Sequence, residues 1–348
     1  MSELKIEYES GRFIEVDFSD YLLFVGGHND WKRKLIRSLK RFSVSKSLNE
    51  LEAGIYGENG IEIYFQDKQL KSRETNLLFL EDNLSIYNQL SFTKGNLMHE
   101  EMTELQHKND ITRQMETINN ELINLESLIN DYLIEFSDSI TSSLNSLLFT
   151  DILKNNLNLS YSTKERDYPL EMMNSSELLD EYIKLLISLI ERRGEDIWLV
   201  IVNPESFLDI QDVQYLFDEL KKLAQKTKQL KFFVFSNQSL ELNYTSEDIS
   251  KTVLLYKDYE QMPEFDIFLQ SIKRHYPDEL CLSETEVISS FYRISHLIGR
   301  DSPDSYYLCP RDMILLKVIN NLIDTNVAVE TSRQHLTQLE EAFLKENY

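Results

Sequence analysis

Three runs of this chain are apolar with no polar interruption: Tyr21–Val25, Ile197–Val202 and, after an opening lysine, residues 231–235. A strand with no polar face has to be covered on both sides, which is the condition of a parallel or mixed sheet flanked by helices. Helical periodicity follows the first run from about Asp30, with Leu35, Ile36 and Leu39 as its core stripe. It follows the second from Asp209 to about Lys226. Residues 251–256 read as a further strand, with two more at 61–65 and 77–80. Alternation over 4–8 and 13–18 around Glu9-Ser10-Gly11 reads as a hairpin. The fold class is α/β.

The character changes after Ser91. Residues 97–148 contain neither Pro nor Gly, and Ile111, Met115, Ile118, Leu122, Leu125, Ile129, Tyr132 and Phe136 recur at spacings of four and three. So narrow a stripe predicts a long helix packed on another, either a returning helix near 141–159 or the same segment of a second copy. Asn174-Ser175-Ser176-Glu177 is a capping pattern opening a helix over 175–193, which Gly194 ends. Beyond Asp258 the pattern is helical throughout, over 264–276, 284–298, 311–323 and 330–346. The expected partition is a head in two parts (1–95 and 166–257), a helical leg (96–165) and an all-α extension (258–348).

The turn after the first buried strand has the layout of a phosphate-binding loop, whose form is G-x-x-x-x-G-K-[S/T]. Gly26 and Lys32 fit it and Gly27 lies within it, while Trp31 stands for the second Gly and Arg33 for the Mg²⁺-holding hydroxyl. The second buried strand runs into Asn203-Pro204-Glu205-Ser206-Phe207-Leu208-Asp209. In an ATP-binding cassette the matching stretch carries a Mg²⁺-binding Asp and a catalytic Glu; here Val202 and Asn203 occupy those places. The signature glycines are lost at 173–177, and Ser236-Asn237-Gln238 lacks the switch His. The expectation is a degenerate nucleotide fold that performs no catalysis, because no group remains to hold the metal or orient water. ATP is not expected as a cofactor.

Net charge is −23, yet two basic runs stand out. Lys32, Arg33, Lys34, Arg37, Lys40 and Arg41 follow the loop, all but Lys34 on one broad side of its helix opposite Leu35 and Leu39; Lys221, Lys222, Lys226 and Lys228 form an acid-free run with Lys231. These are the candidate contacts to a polyanion, since local field outweighs net charge. Asp209 and Asp212 are explained by helix capping, and the scattered histidines give no zinc spacing. Two isolated cysteines and no apolar run of about 18 residues fit a cytoplasmic protein.

Taken together, the glycine turn, the helical leg, the L-V-I-V-N-P-E-S-F-L-D stretch and the K-F-F-V-F strand resemble the Csn-two family, the ring-forming spacer-acquisition proteins of subtype II-A CRISPR systems. The resemblance covers roughly residues 1–256, and the tail places the chain with the large subgroup. It implies a homotetrameric ring whose basic inner face holds linear double-stranded DNA, working beside the adaptation integrase and the effector nuclease in antiviral defence. It implies no catalysis. Some short members bind Ca²⁺ through acids in a stretch matching 156–162, where this chain has Asn and Ser, so no metal is expected. Two alternatives remain from the residues alone: a chromosome-maintenance-like ATPase, and a coiled-coil scaffold.

Overall fold

A computed structural model of the chain describes residues 2–44, 49–57, 60–164, 166–194, 196–300, 308–325 and 337–345. The strands are β1 (Ser2–Glu9), β2 (Arg12–Phe18), β3 (Tyr21–Val25), β4 (Ile63–Phe65), β5 (Lys68–Gln69), β6 (Asn76–Leu80), β7 (Ser160–Ser162), β8 (Asp167–Pro169), β9 (Ile197–Val202), β10 (Leu230–Phe235), β11 (Thr252–Leu255) and β12 (Tyr259–Gln261). The helices are α1 (Asn29–Ser43), α2 (Glu50–Tyr56), α3 (Asn83–Leu90), α4 (Leu97–Glu104), α5 (Asn109–Ile134), α6 (Phe149–Asn156), α7 (Ser175–Arg193), α8 (Ile210–Thr227), α9 (Ser246–Ser250), α10 (Phe265–His275), α11 (Glu284–Ile294), α12 (Pro310–Leu322) and α13 (Gln338–Lys345).

The uninterrupted apolar runs become the middle of a six-stranded sheet, ordered β12-β11-β3-β10-β9-β6. Its strands are parallel except β12, which pairs antiparallel with β11. Alternate residues of β3 and β10 serve the two faces. On one face Leu22, Phe24, Phe233 and Phe235 share a core with Leu35, Leu39 and Phe42 of α1 and with Leu4, Ile6, Ile14 and Phe18 of a second sheet. On the other, Tyr21 stacks on Phe232, and Phe217 of α8 meets both edge-on.

The second sheet is antiparallel, ordered β2-β1-β4-β5, with Leu4 opposite Val16 and Ile6 opposite Ile14 in the expected hairpin. Its outer strand β2 is stitched to β12 by side chains. The Gln261 amide accepts from Asp17 N (2.7 Å) and donates to Asp17 O (2.9 Å), while Tyr259 Oη accepts from Glu15 N (3.1 Å).

The structure groups the chain into two compact units, residues 1–82 with 190–348, and residues 83–189. The tail expected as an all-α extension therefore belongs to the unit that holds both sheets, and it begins with a strand, β12. Of the last predicted helix, α13 is present; residues 330–336 and 346 lie outside the described residues. In the second unit, Asn174 and Glu177 cap α7 reciprocally at 2.9 Å. The periodic stretch forms α5, none of whose residues is buried. No returning helix covers it over 137–148. That segment is irregular and gripped by α5 side chains: Asn130 accepts from Ser142 N (2.6 Å) and donates to Ser142 O (3.1 Å), and Asn119 brackets Leu147 in the same way. Helix resumes only at α6.

At the junction of β3 with α1, Gly26 leaves no room for a side chain. Gly26 has φ +114°, and a Cβ there would lie 2.2 Å from Leu255 O. Gly26→Ala is expected to cost about 2–4 kcal/mol of stability, strain and clash together. Equilibrium urea unfolding checks this; a loss below about 0.5 kcal/mol would show that the junction yields.

Candidate functional site

The turn that the sequence reads as an eroded phosphate loop is short, and helix begins immediately after it. His28 is the N-cap of α1, its Nδ1 accepting from Trp31 N at 3.3 Å. Gly27 N donates to Ile298 O (2.7 Å) and His28 N to Leu255 O (3.2 Å). Gly27 also faces the chain's own backbone, since a Cβ on it would stand 2.8 Å from Arg300 Cα. A phosphate at a helix N-terminus needs such amides as free donors. Here Gly27, His28 and Trp31 already have protein acceptors. Trp31 turns aside to pack on Tyr8 and Tyr259, with ring centroids at 4.4 and 5.9 Å.

Lys32 lies on the buried face of α1. The expected broad basic side is corrected at this residue: the spacing 32, 35, 39, 42 puts Lys32 on the same stripe as Leu35, Leu39 and Phe42. It is 2 % exposed. Its ammonium donates to Ser236 O (2.5 Å), at the end of β10, and to Asn237 Oδ1 (3.3 Å). Burial pushes its pKa down to about 8; the Glu205 carboxylate opposes that fall and the Arg300 guanidinium adds to it. Burial, followed by Lys32 and Arg300, also holds His296 down at about 4. Glu205 accepts from Asn237 N at 3.0 Å.

Val202 and Asn203, which the sequence sets against the two acids of a cassette ATPase, have structural roles. Val202 packs at the edge of the core, and Asn203 adopts a left-handed conformation (φ 49°) with its N–H on Phe235 O at 2.7 Å. Beside them, at the carboxyl ends of β9 and β10, a cavity of about 590 Å³ is lined by Glu205, Asp209 and Glu241 together with Leu208, Gln238 and Leu242. Such a lining repels phosphate. Nor does the stretch matching the Ca²⁺ segment fit that ion. Asn156 spends its amide N–H on Ile152 O (3.2 Å), Ser160–Ser162 form β7, and no carboxylate lies within 156–162.

The other candidate cations divide into two groups. Lys221 sits inside, bonded to fully buried Asp248 at 2.8 Å and lying over the Tyr21 and Phe217 rings, so it too leaves the surface run. Lys34 pairs with Glu9 (2.5 Å), Lys40 with Glu81 (2.7 Å) and Arg41 with Glu52 (3.3 Å). Arg33 reaches Asp30 at 3.5 Å, Lys222 pairs with Glu219 and Lys226 with Glu191, both at 2.6 Å. Arg37 and Lys228 are exposed. The residues that sequence reasoning passed over are Glu205, His296, Ile298 and Arg300. Gly299, directly after the helix expected over 284–298, was the signal for the last three.

No protein-family model matches the chain, and no curated protein matches it. Among solved structures it is similar to Stu0660 of Streptococcus thermophilus, at 16% identity and a TM-score of 0.83 over 99% of this chain and 100% of that one. At that identity the likeness shows a shared fold. A nucleotide-free ATP-binding cassette from an ABC transporter overlaps at a TM-score of 0.33 (11% identity, 78% of this chain and 96% of that one). The SMC head domain from Thermotoga maritima overlaps at 0.31 (13% identity, 75% and 98%). Nothing is drawn from overlaps of that size.

A buried lysine with a depressed pKa makes stability depend on pH. Between the folded value near 8 and the unfolded value of 10.5, the unfolded chain binds more protons at this site, so its contribution to stability rises with pH. The stability of wild type relative to Lys32→Met should therefore increase by about 3 kcal/mol from pH 8 to pH 10.5. Urea unfolding of both proteins at the two pH values reads it, and a flat difference would mean that Lys32 titrates normally.

Proposed function

We propose that this chain is a non-catalytic, sequence-independent double-stranded DNA-binding protein of the Csn-two kind, assembled as a homotetrameric ring that linear duplex threads during CRISPR spacer acquisition. In this reading the turn at 26–33 is a degenerate phosphate loop and α5 is the leg. One observation carries the non-catalytic half: Lys32 and the loop amides are spent on protein acceptors, at Ser236, Leu255 and Ile298. The amides of Gly27, His28 and Trp31 are thereby withheld from a nucleotide phosphate, and in this reading no cofactor enters the function.

The DNA half rests on the sequence resemblance and on the cations that stay at the surface: Arg33, Lys34, Arg37, Lys40, Lys222, Lys226 and Lys228. Most hold acidic partners, and exposed ion pairs contribute only about 0–1 kcal/mol. A phosphate backbone displaces such partners at small cost, with the gain of counterion release. Lys32, Arg41 and Lys221 drop out of the contact list. Self-assembly is supported by α5 and the segment after it, which leave Ile123, Leu128, Tyr132, Ile134 and Phe136 exposed. That observation equally favours a scaffold for protein partners, a reading in which duplex is irrelevant. The integrase and effector nuclease enter as partners through the resemblance alone, and the cytoplasm as the compartment in which they act.

The test combines mass with binding. Light scattering should give a tetramer whose mass rises by that of the bound duplex, with no change in subunit number, on addition of short linear DNA. Duplex affinity should fall about 10³-fold or more between about 50 and about 200 mM salt. Arg33→Glu/Arg37→Glu should cut affinity at least tenfold while the mass stays tetrameric. No binding at low salt would leave the scaffold reading, and equal affinity in the charge-reversed protein would take Arg33 and Arg37 out of the contact surface. Mg²⁺-dependent ATP turnover lost in Lys32→Ala would instead establish an ATPase.

A further inference from the structure

Two turns distant in sequence meet backbone to backbone at the start of α1. Ile298 O takes the Gly27 N–H at 2.7 Å. A Cβ on Gly27 would stand 2.6 Å from Arg300 Cβ and 2.8 Å from Arg300 N, so the approach needs glycine on that side. Gly299 in turn has φ +71°, and a Cβ on it would meet Tyr256 Cβ at 2.2 Å. The turn at 297–300 is thus pressed against the ends of β3 and β11 with nothing between them.

Asn320 of α12 sets that turn. Gly299 N donates to Asn320 Oδ1 at 2.9 Å, and Thr325 Oγ1 donates to the same oxygen at 2.7 Å. The Asn320 amide N–H is anchored on Leu316 O at 2.8 Å, within its own helix. Asn320 is 1 % exposed, so each of these bonds is shielded from water. A continuous path runs from α12 through Asn320 and Gly299 to Ile298 O, then Gly27 N and the first turn of α1. Lys32 lies one helical turn further on.

We propose that the 297–300 turn is a built-in occupant of the loop. Its carbonyl takes the Gly27 amide at the start of α1, so α12 acts as the lever on the loop, α1 and Lys32. The turn works as a strap: while Asn320 holds it, the loop stays shut and the Lys32 ammonium stays on Ser236 O. This inference stands on backbone geometry and does not rest on DNA binding, so each can fail without the other.

Full-length Asn320→Ala removes the bracket. Amide exchange at Gly27 should speed up by about tenfold or more, the equivalent of one shielded hydrogen bond. Labelling of Lys32 by an amine-reactive ester, read by peptide mass spectrometry, should rise with it. Val16→Ala, in the core of β2, is the control for general destabilisation. If Asn320→Ala leaves both readouts at wild-type levels, or raises them no more than Val16→Ala does, the strap is refuted. A wild-type measurement covers the case in which Asn320→Ala fails to fold. Across low urea concentrations the Gly27 and Gly299 amides should share one opening free energy, distinct from that of β10 amides; separate openings for the two glycines would overturn the proposal.

Discussion

Putting a lysine ammonium at the end of a parallel sheet is the constraint on which this head is built. Desolvating that charge is costly unless hydrogen bonds replace the water. Lys32 finds them at Ser236 O and Asn237 Oδ1, so α1 has to lie where its first turn faces the carboxyl end of β10. That placement brings Leu35 and Leu39 onto the face of the sheet with Phe24 and Phe235, and it closes the core against β1 and β2. Glu205 opposes the shift in Lys32 from the neighbouring turn after β9. One side chain therefore fixes the helix, two strand ends and the loop between them.

Much of the head was legible because its rules are local. Strands buried on both faces announce themselves as Leu22–Val25 and Trp198–Val202, the hairpin by its alternation, and α7 by Asn174 and Glu177. The burial of Lys32 was also readable, since it stands three residues before Leu35 and ten before Phe42. Its charge argued for the surface and its spacing for the core, and spacing prevailed because the long aliphatic stem packs while the tip is hydrogen-bonded. Other features leave no periodic mark. The irregular 137–148 segment is held by Asn119 and Asn130, whose amides imitate a backbone partner. The contact of Ile298 with Gly27 joins residues 271 positions apart, and a lone glycine after a helix reads as a stop. β12 is three residues long, too short for a pattern.

The charge of the chain takes a different meaning once side chains are placed. A basic run in a sequence of net charge −23 looks like a free patch. In the fold most of its members meet acids brought from elsewhere, as Lys34 meets Glu9 and Lys40 meets Glu81. Four members, Lys32, Arg41, Lys221 and Lys231, are structural. What remains is a set of loosely held cations on α1 and at the end of α8, suited to exchange one set of oxygens for another. Clustering along the chain overstates a binding face, and burial has to be taken away before charges are counted.

The amide of Gln261 lies against Asp17 as a neighbouring strand would, giving and taking one hydrogen bond each. An open sheet edge is a template on which a foreign strand can grow the sheet, and natural proteins spend effort on closing it. Here a single glutamine and the hydroxyl of Tyr259 do so along β2. A second molecule approaching from that side finds those backbone groups already answered, so no shared ladder can start there. Fibre-like growth is blocked along β2, and copies that meet on that side must do so through side chains, in contacts that can be released.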